Sequence, residues 1–260
     1  MQKSGLVLSG GGVRGVAHLG VIQVLKECGI KPAVVSGTSA GSLVGALYAA
    51  GHTLDTIFEF FKATAIFKIS NFAARKPGII DSDKFYAVLK EYLPEDDFGA
   101  LKKQLFVTTT DIIHGRTRIF SEGPLIKTLL ASSAVPVVFS PVEIEGTLYV
   151  DGGALNNFPV EPLVNNCDAI IGINVHPLKD TKPENIKSTW MVVERIFHLA
   201  INHHTLQKFH LCNIVIAPQK LASFGTFERG RFDEIYQVGY EAAQSRKGEL
   251  LRLKAALEQQ

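Results

Sequence analysis

The sequence predicts an α/β protein, with a mostly parallel central sheet flanked by helices. Three observations carry that reading. Short apolar runs ended by glycine alternate with stretches at helical spacing. The first fifty residues follow the order strand, helix, strand, helix, as a parallel sheet requires. At 46% hydrophobic and 20% charged residues, the 260-residue chain can fill a substantial core.

Taken in order, GLVLS (5–9) is a continuous apolar run of the kind covered on both faces of a sheet. Within 13–28, Val16, Leu19, Val24 and Leu25 lie near helical spacing, and Gly29 supplies the stop. AVVSG (33–37) reads as the second strand, and 40–50 as a helix ended by Gly51. Further strands are expected at 105–112, 117–120, 169–175 and 213–218, with helices near 122–134, 184–210 and 229–257. PVEIEGTLYVDGG (141–153) alternates apolar and polar residues around Gly146, as a hairpin does. No repeat or long Gly/Ser/Pro linker interrupts the chain, so 1–260 reads as one domain with 53–80 as a candidate cap or lid insertion.

A formal net charge of +2, without a basic tail or acidic run, argues against nucleic acid as a partner. Cys28, Cys167 and Cys212 are odd in number and far apart, which suits small thiols in a reducing compartment. MQKSGLVLSGGG meets glycine too early for a signal peptide. Positions 32–51 carry no charge, but the Ser, Thr and Gly among them favour a buried strand–turn–helix over a membrane span. The expectation is a soluble, cytoplasmic protein of open oligomeric state. No Asp/Glu/His cluster has ligand spacing, so no metal is called for.

Two glycine-rich turns and one aspartate offer chemistry. SGGGVRGVAHLG (9–20) contains G-x-G-x-x-G at Gly10, Gly12 and Gly15, after a strand and opening a helix. A dinucleotide site would also need an acid at the end of the second strand, where the chain reads VVSG (34–37). The same backbone N–H groups, with a helix dipole behind them, can instead receive charge that develops during a reaction. GTSAG (37–41) sets Ser39 between a strand and a helix, as a nucleophile on a tight turn or as a helix N-cap. YVDGG (149–153) ends a strand arm at Asp151, which is either a base or a tight Asp-Gly turn. His176 follows the 169–175 strand and is the histidine that a triad would use. His198, His203, His204 and His210 fall in a helical stretch, and His18 in the first helix. IFEFFKATAIFKISNFAARK (57–76) interleaves phenylalanines with Lys62, Lys68, Arg75 and Lys76. It reads as an amphipathic cap meeting acyl chains or a membrane surface, or as a helix packed on the sheet. Beyond about residue 180 no functional motif stands out.

Together, GGGVRG (10–15), GTSAG (37–41) and DGG (151–153) resemble the patatin-like phospholipase family in order and spacing. ASSAVPVVFSPV (131–142) is similar to the family's proline-containing segment between nucleophile and aspartate. The chain departs at Ser9, where relatives resembling plant patatin often carry aspartate. The resemblance implies a three-layer fold and a lipid or acyl-ester substrate cleaved by a Ser–Asp dyad without a cofactor. Ser39 would be the nucleophile and Asp151 the base, with the N–H groups of Gly10, Gly11 and Gly12 as the oxyanion hole. Gly15, Gly37, Gly41, Gly152 and Gly153 would support the turns. Arg14 would orient the glycine loop or add positive potential. The alternative is a lipid-binding or regulatory protein that keeps the pocket with little turnover.

Overall fold

The computed structural model describes residues 3–64, 82–136, 138–226, 228 and 230–259. Its strands are β1 (Ser4–Leu8), β2 (Val34–Thr38), β3 (Gln104–Asp111), β4 (Arg116–Phe120), β5 (Val142–Ile144), β6 (Thr147–Asp151), β7 (Ala169–Ile173) and β8 (Ile214–Ile216). Among the described residues they form one sheet in the order β5-β6-β3-β2-β1-β7-β8, with β4 also paired to β3. β3, β2, β1, β7 and β8 run parallel, while β4, β5 and β6 pair antiparallel. Glu145 and Gly146, both at positive φ, close the two-residue turn from β5 to β6.

The helices are α1 (Ala17–Glu27), α2 (Ala40–Ala50), α3 (Leu54–Ala63), α4 (Ser82–Tyr92), α5 (Leu125–Ser132), α6 (Glu161–Val164), α7 (Thr189–Leu206), α8 (Phe232–Gln244) and α9 (Lys247–Glu258). Alternation along the strands makes three layers. Leu6, Leu8, Val35, Ile171 and Ile173 face a large cluster with side chains of α1, α2, α3, α5 and α8. Val7, Val34 and Ile170 face the other way, onto Phe158, Val160 and Leu163. The single helix expected over 229–257 is two, α8 and α9, broken at Ser245 and Arg246. The break falls in QSRKGE (244–249), where no apolar residue continues the periodicity and Gly248 weakens the helix. α4 was not anticipated.

The segment 57–76 divides. Ile57, Phe60 and Phe61 of α3 are fully buried, and Phe58 packs against the same core with the Lys62 ammonium over its ring. The rest of the expected insertion, 65–80, lies outside the described residues.

The chain leaves β1 toward β2 on one side and β7 toward β8 on the other. A crevice therefore opens at the carboxyl ends of β1 and β7, where open α/β sheets bind ligands. Gly11 and Gly12 after β1, Ser39 after β2, Asp151 ending β6 and His176 after β7 all border it.

Candidate active site

β3 aligns the serine and the aspartate. Thr38 of β2 pairs with Thr108, and Asp151 of β6 pairs with the next residue, Thr109. β4 occupies the opposite edge of β3, so β2 and β6 follow each other along one edge. Residues 39 and 151, more than a hundred positions apart in the chain, are thereby adjacent.

Ser39 sits between β2 and α2 at φ 53°, ψ −125°, a conformation that non-glycine residues avoid. A side chain at residue 37 would collide with the Gly41 carbonyl, and one at residue 41 with the Leu8 carbonyl, so the turn closes against β1 only with glycine at both. The Ser39 N–H donates to Ser132 Oγ (2.9 Å), whose hydroxyl donates to the Thr108 carbonyl (2.7 Å). By position Ser39 is the N-cap of α2, but its side chain makes no capping bond. Its hydroxyl hydrogen-bonds with Asp151 instead.

Asp151 is 6% exposed. One carboxylate oxygen accepts the Gly153 N–H at 2.7 Å, so the residue does form an Asp-Gly turn as well as meeting Ser39. Its main chain is fixed by Asp151 N–H to the Ala134 carbonyl (2.9 Å) and by the Thr110 hydroxyl to the Asp151 carbonyl (3.0 Å). Burial raises its pKa to about 6, against the opposing pull of the bonds from Ser39 and Gly153. Gly152 packs so tightly on the Thr108 carbonyl that a side chain would collide with it.

The glycine loop departs from expectation at one residue. The Gly10 N–H donates to the Asn157 carbonyl (3.2 Å), and Asn157 Nδ2 donates to the Gly10 carbonyl (3.4 Å). Gly10 is thus clamped on both sides and is not a free donor. Gly11 and Gly12, at the start of the 3-10 turn preceding α1, border the crevice. N–H groups at such positions lack acceptors within the helix. Ser9 ties the loop to the end of β7, its hydroxyl donating to the Gly10 carbonyl (3.1 Å) and accepting the Val175 N–H (2.9 Å). His18 Nε2 meets the Ser9 carbonyl at 2.9 Å, and burial lowers its pKa to about 4. Gly15 packs against Ala40 at the start of α2. The Arg14 Nε–H donates to the Phe224 carbonyl (2.8 Å), fastening the loop to the segment after β8.

His176 borders the crevice, but its ring pairs with another histidine. His176 Nε2 and His198 Nδ1 lie 3.0 Å apart with the rings at 4.9 Å. Burial lowers the His176 pKa to about 3, with His198 and Arg14 adding to the effect. His203 and His204 lie on exposed positions of α7 and His210 in a following 3-10 turn. Among the described residues, no group of three or more His, Cys, Asp or Glu side chains is placed to hold a metal ion.

The remaining wall comprises Val135, Pro136, Ala154 and Asn157, with Phe197, His198 and Ile201 of α7 and Thr226. Ser132, Val135 and Pro136 fall within the ASSAVP motif. Asn157 and the α7 residues carry no local sequence signal.

A strained serine hydrogen-bonded to a buried carboxylate, beside a glycine loop on an α/β sheet, defines the class of site. The patatin-like phospholipase model matches residues 6–164, and the chain belongs to that family. An uncharacterised NTE family protein of Mycobacterium tuberculosis is 31% identical over 195 residues, 72% of this chain and 54% of that protein. Lysophospholipase NTE1 of Candida glabrata is 28% identical over 268 residues, 92% of this chain and 16% of that protein. The chain thus spans about half the length of the first of these relatives and far less of the second. VipD from Legionella pneumophila matches in structure with a TM-score of 0.60 at 16% identity, over 96% of this chain and 67% of VipD. Human GIVD cytosolic phospholipase A2, solved with methyl gamma-linolenyl fluorophosphonate, matches with a TM-score of 0.50 at 12% identity, over 100% and 60%. These last two likenesses concern the fold.

Proposed function

We propose that the chain is a serine acyl hydrolase acting on lipid carboxylic esters. The observation that carries this reading is the Ser39–Asp151 pair, a strained hydroxyl bonded to a carboxylate that burial has made more basic. A carboxylate at its ordinary pKa near 3.9 is a poor base for a hydroxyl, and the shift to about 6 narrows that gap.

In the proposed cycle, Ser39 Oγ attacks the ester carbonyl carbon and its proton passes to Asp151. The carbonyl oxygen becomes an oxyanion facing the Gly11 and Gly12 N–H groups, with the helix N-terminus behind them. On collapse the C–O bond to the alcohol breaks, and Asp151 returns the proton to the leaving oxygen. An acyl-Ser39 remains. Water, deprotonated by Asp151, attacks the acyl carbon, and fatty acid departs as Ser39 recovers its proton. Every step uses groups of this chain. Arg14, Ser9, Asn157 and Ser132 hold the two turns in place.

The family supports an ester substrate bearing acyl chains, and the lysophospholipase among the relatives supports a phospholipid or lysophospholipid. Free Cys28, Cys167 and Cys212 agree with a cytoplasmic setting. The test is covalent labelling by a fluorophosphonate, the reagent class seen with the human phospholipase A2. The wild-type chain is expected to label and to hydrolyse fatty-acyl esters, and Ser39→Ala to do neither. Wild-type protein that neither labels nor hydrolyses any ester would sink the reading in favour of a lipid-binding protein.

A further inference from the structure

Helix α7 is anchored by little. Among its described residues only Ile201 and Thr205 are buried, and they share a face with His198. The opposite face presents Val192, Ile196, Leu199 and Leu206 at helical spacing, with 42%, 60%, 43% and 52% of their surface exposed. Val193 and Phe197 widen this stripe, and Phe197 and Ile201 themselves border the crevice at Ser39. No described helix is long and apolar enough to cross a membrane. Exposed His203 interrupts the stripe between Leu199 and Leu206, and the apolar surface on either side of it marks an interaction surface.

The crevice suggests the occupant. Its cavity is about 80 Å³, roomy enough for an ester group and far too small for a fatty-acyl chain. An acyl chain leaving the crevice meets Val135, Pro136 and Phe197, and exposed Val193 joins Phe197 to the stripe round the side of the helix. The exposed approach to the helix carries Lys179, Lys182 and Lys187 with Asp180 and Glu184 between them, so the lysines outnumber the acids by one. A lipid surface is the partner that offers acyl chains to rim and stripe together and headgroups to those lysines.

We propose that α7 lies in the headgroup–acyl boundary of a lipid surface through Val192, Ile196, Leu199 and Leu206, setting the mouth of the Ser39 crevice against its substrate. The inference rests on the crevice being a lipid-ester site.

The test compares the full wild-type chain with the double variant Ile196→Asp/Leu199→Asp. Both are floated with phosphatidylcholine vesicles containing about a quarter phosphatidylglycerol, and hydrolysis of a soluble short-chain ester is followed in parallel. Wild type is expected to float. In the double variant, flotation and hydrolysis of vesicle lipid should fall about tenfold or more, with soluble-ester kcat/KM within about twofold of wild type. Equal flotation of the two proteins overturns the proposal, as does a wild type that hydrolyses the soluble ester and stays off the vesicles. A lipid-free dimer of wild type that the double variant dissociates assigns the stripe to a second copy and also overturns it. Loss of soluble-ester activity in wild type rejects the hydrolase reading separately, and flotation still decides the role of α7. If the double variant fails to fold by circular dichroism, Ile196→Ser makes the same comparison with a smaller expected drop.

Discussion

Asp111 and Asp151 end neighbouring strands, β3 and β6, and are 1% and 6% exposed, yet their carboxyls behave oppositely. Burial by itself would raise both. Around Asp111 that effect is overcome by donors, namely the His114 and Ile113 N–H groups, the His114 ring and the Arg116 guanidinium, and its pKa falls to about 2. Asp151 has the Ser39 hydroxyl and one backbone N–H, and its pKa rises to about 6. The difference shows how one residue type yields a turn lock or a carboxyl suited to the proposed role of base. Depth and donor supply act together: Asp151 lies deep with two donors, while Asp111 is covered by the exposed side chains of His114 and Arg116 that also donate to it.

The largest expected effect separates the two sites outright. Ser39→Ala is expected to abolish turnover, and Asp151→Asn to lower kcat on a soluble ester by on the order of 10⁴-fold. Asp111→Asn should leave kcat/KM within about twofold and lower the melting temperature instead. Equal kinetic losses for the two aspartates would break the comparison.

Titration sharpens it. A base must be ionised, so kcat/KM on a soluble ester should rise with pH through about 6 and level above it. Stability moves the other way. Between the ordinary value of 3.8 and about 6, the unfolded chain releases the Asp151 proton while the folded chain keeps it. Stability linked to Asp151 is therefore complete below 3.8 and lost as pH rises through about 6, by about 3 kcal/mol in all. Asp151→Asn should be more stable than wild type near pH 8 by up to that amount, with the gap closing below pH ~4 in chemical denaturation. Asp111 contributes stability above its ordinary value that is lost as pH falls through about 2. An Asp151→Asn chain no more stable than wild type at high pH would deny the burial cost.

His176→Ala ranks next. The His176 ring meets His198, while the Asp151 carboxylate meets Ser39 and Gly153. A loss in kcat within about tenfold is expected. A dead His176→Ala beside an active Asp151→Asn would transfer the base role to a triad.

Much of this site was legible because its glycines are sterically compulsory. Gly37 and Gly41 mark a turn that closes only without side chains, and Ser39 between them, though only 8% exposed, borders the crevice. The parallel core was legible because β1, β2 and β7 are buried on both faces and so read as unbroken apolar runs. What escaped was set by contacts distant in sequence. Nothing near Gly10 announces that Asn157, 147 positions away, takes its N–H. The apolar residues of α3 and α7 look alike in sequence. The structure buries Phe60 and Phe61 of α3 in the core and leaves Ile196 of α7 at 60% exposure. Composition cannot distinguish a core stripe from an interaction stripe, because that depends on what packs against it.

The smallest expected effect falls on Ser132, which lies inside a motif but acts through the main chain of Ser39. Its hydroxyl accepts the Ser39 N–H and donates to the Thr108 carbonyl, joining the strained turn to the strand that aligns Ser39 with Asp151. Ser132→Ala leaves a buried N–H without its acceptor, a loss of about 1–3 kcal/mol. If that loss relaxes the φ of 53° at Ser39, the hydroxyl swings from Asp151 and kcat falls about tenfold with KM little changed. If Gly37 and Gly41 packing alone holds the turn, the same loss appears only in stability. Measuring kcat and melting temperature on one preparation separates the two, and Ser132→Thr, which restores the hydroxyl, should recover kcat only in the first case.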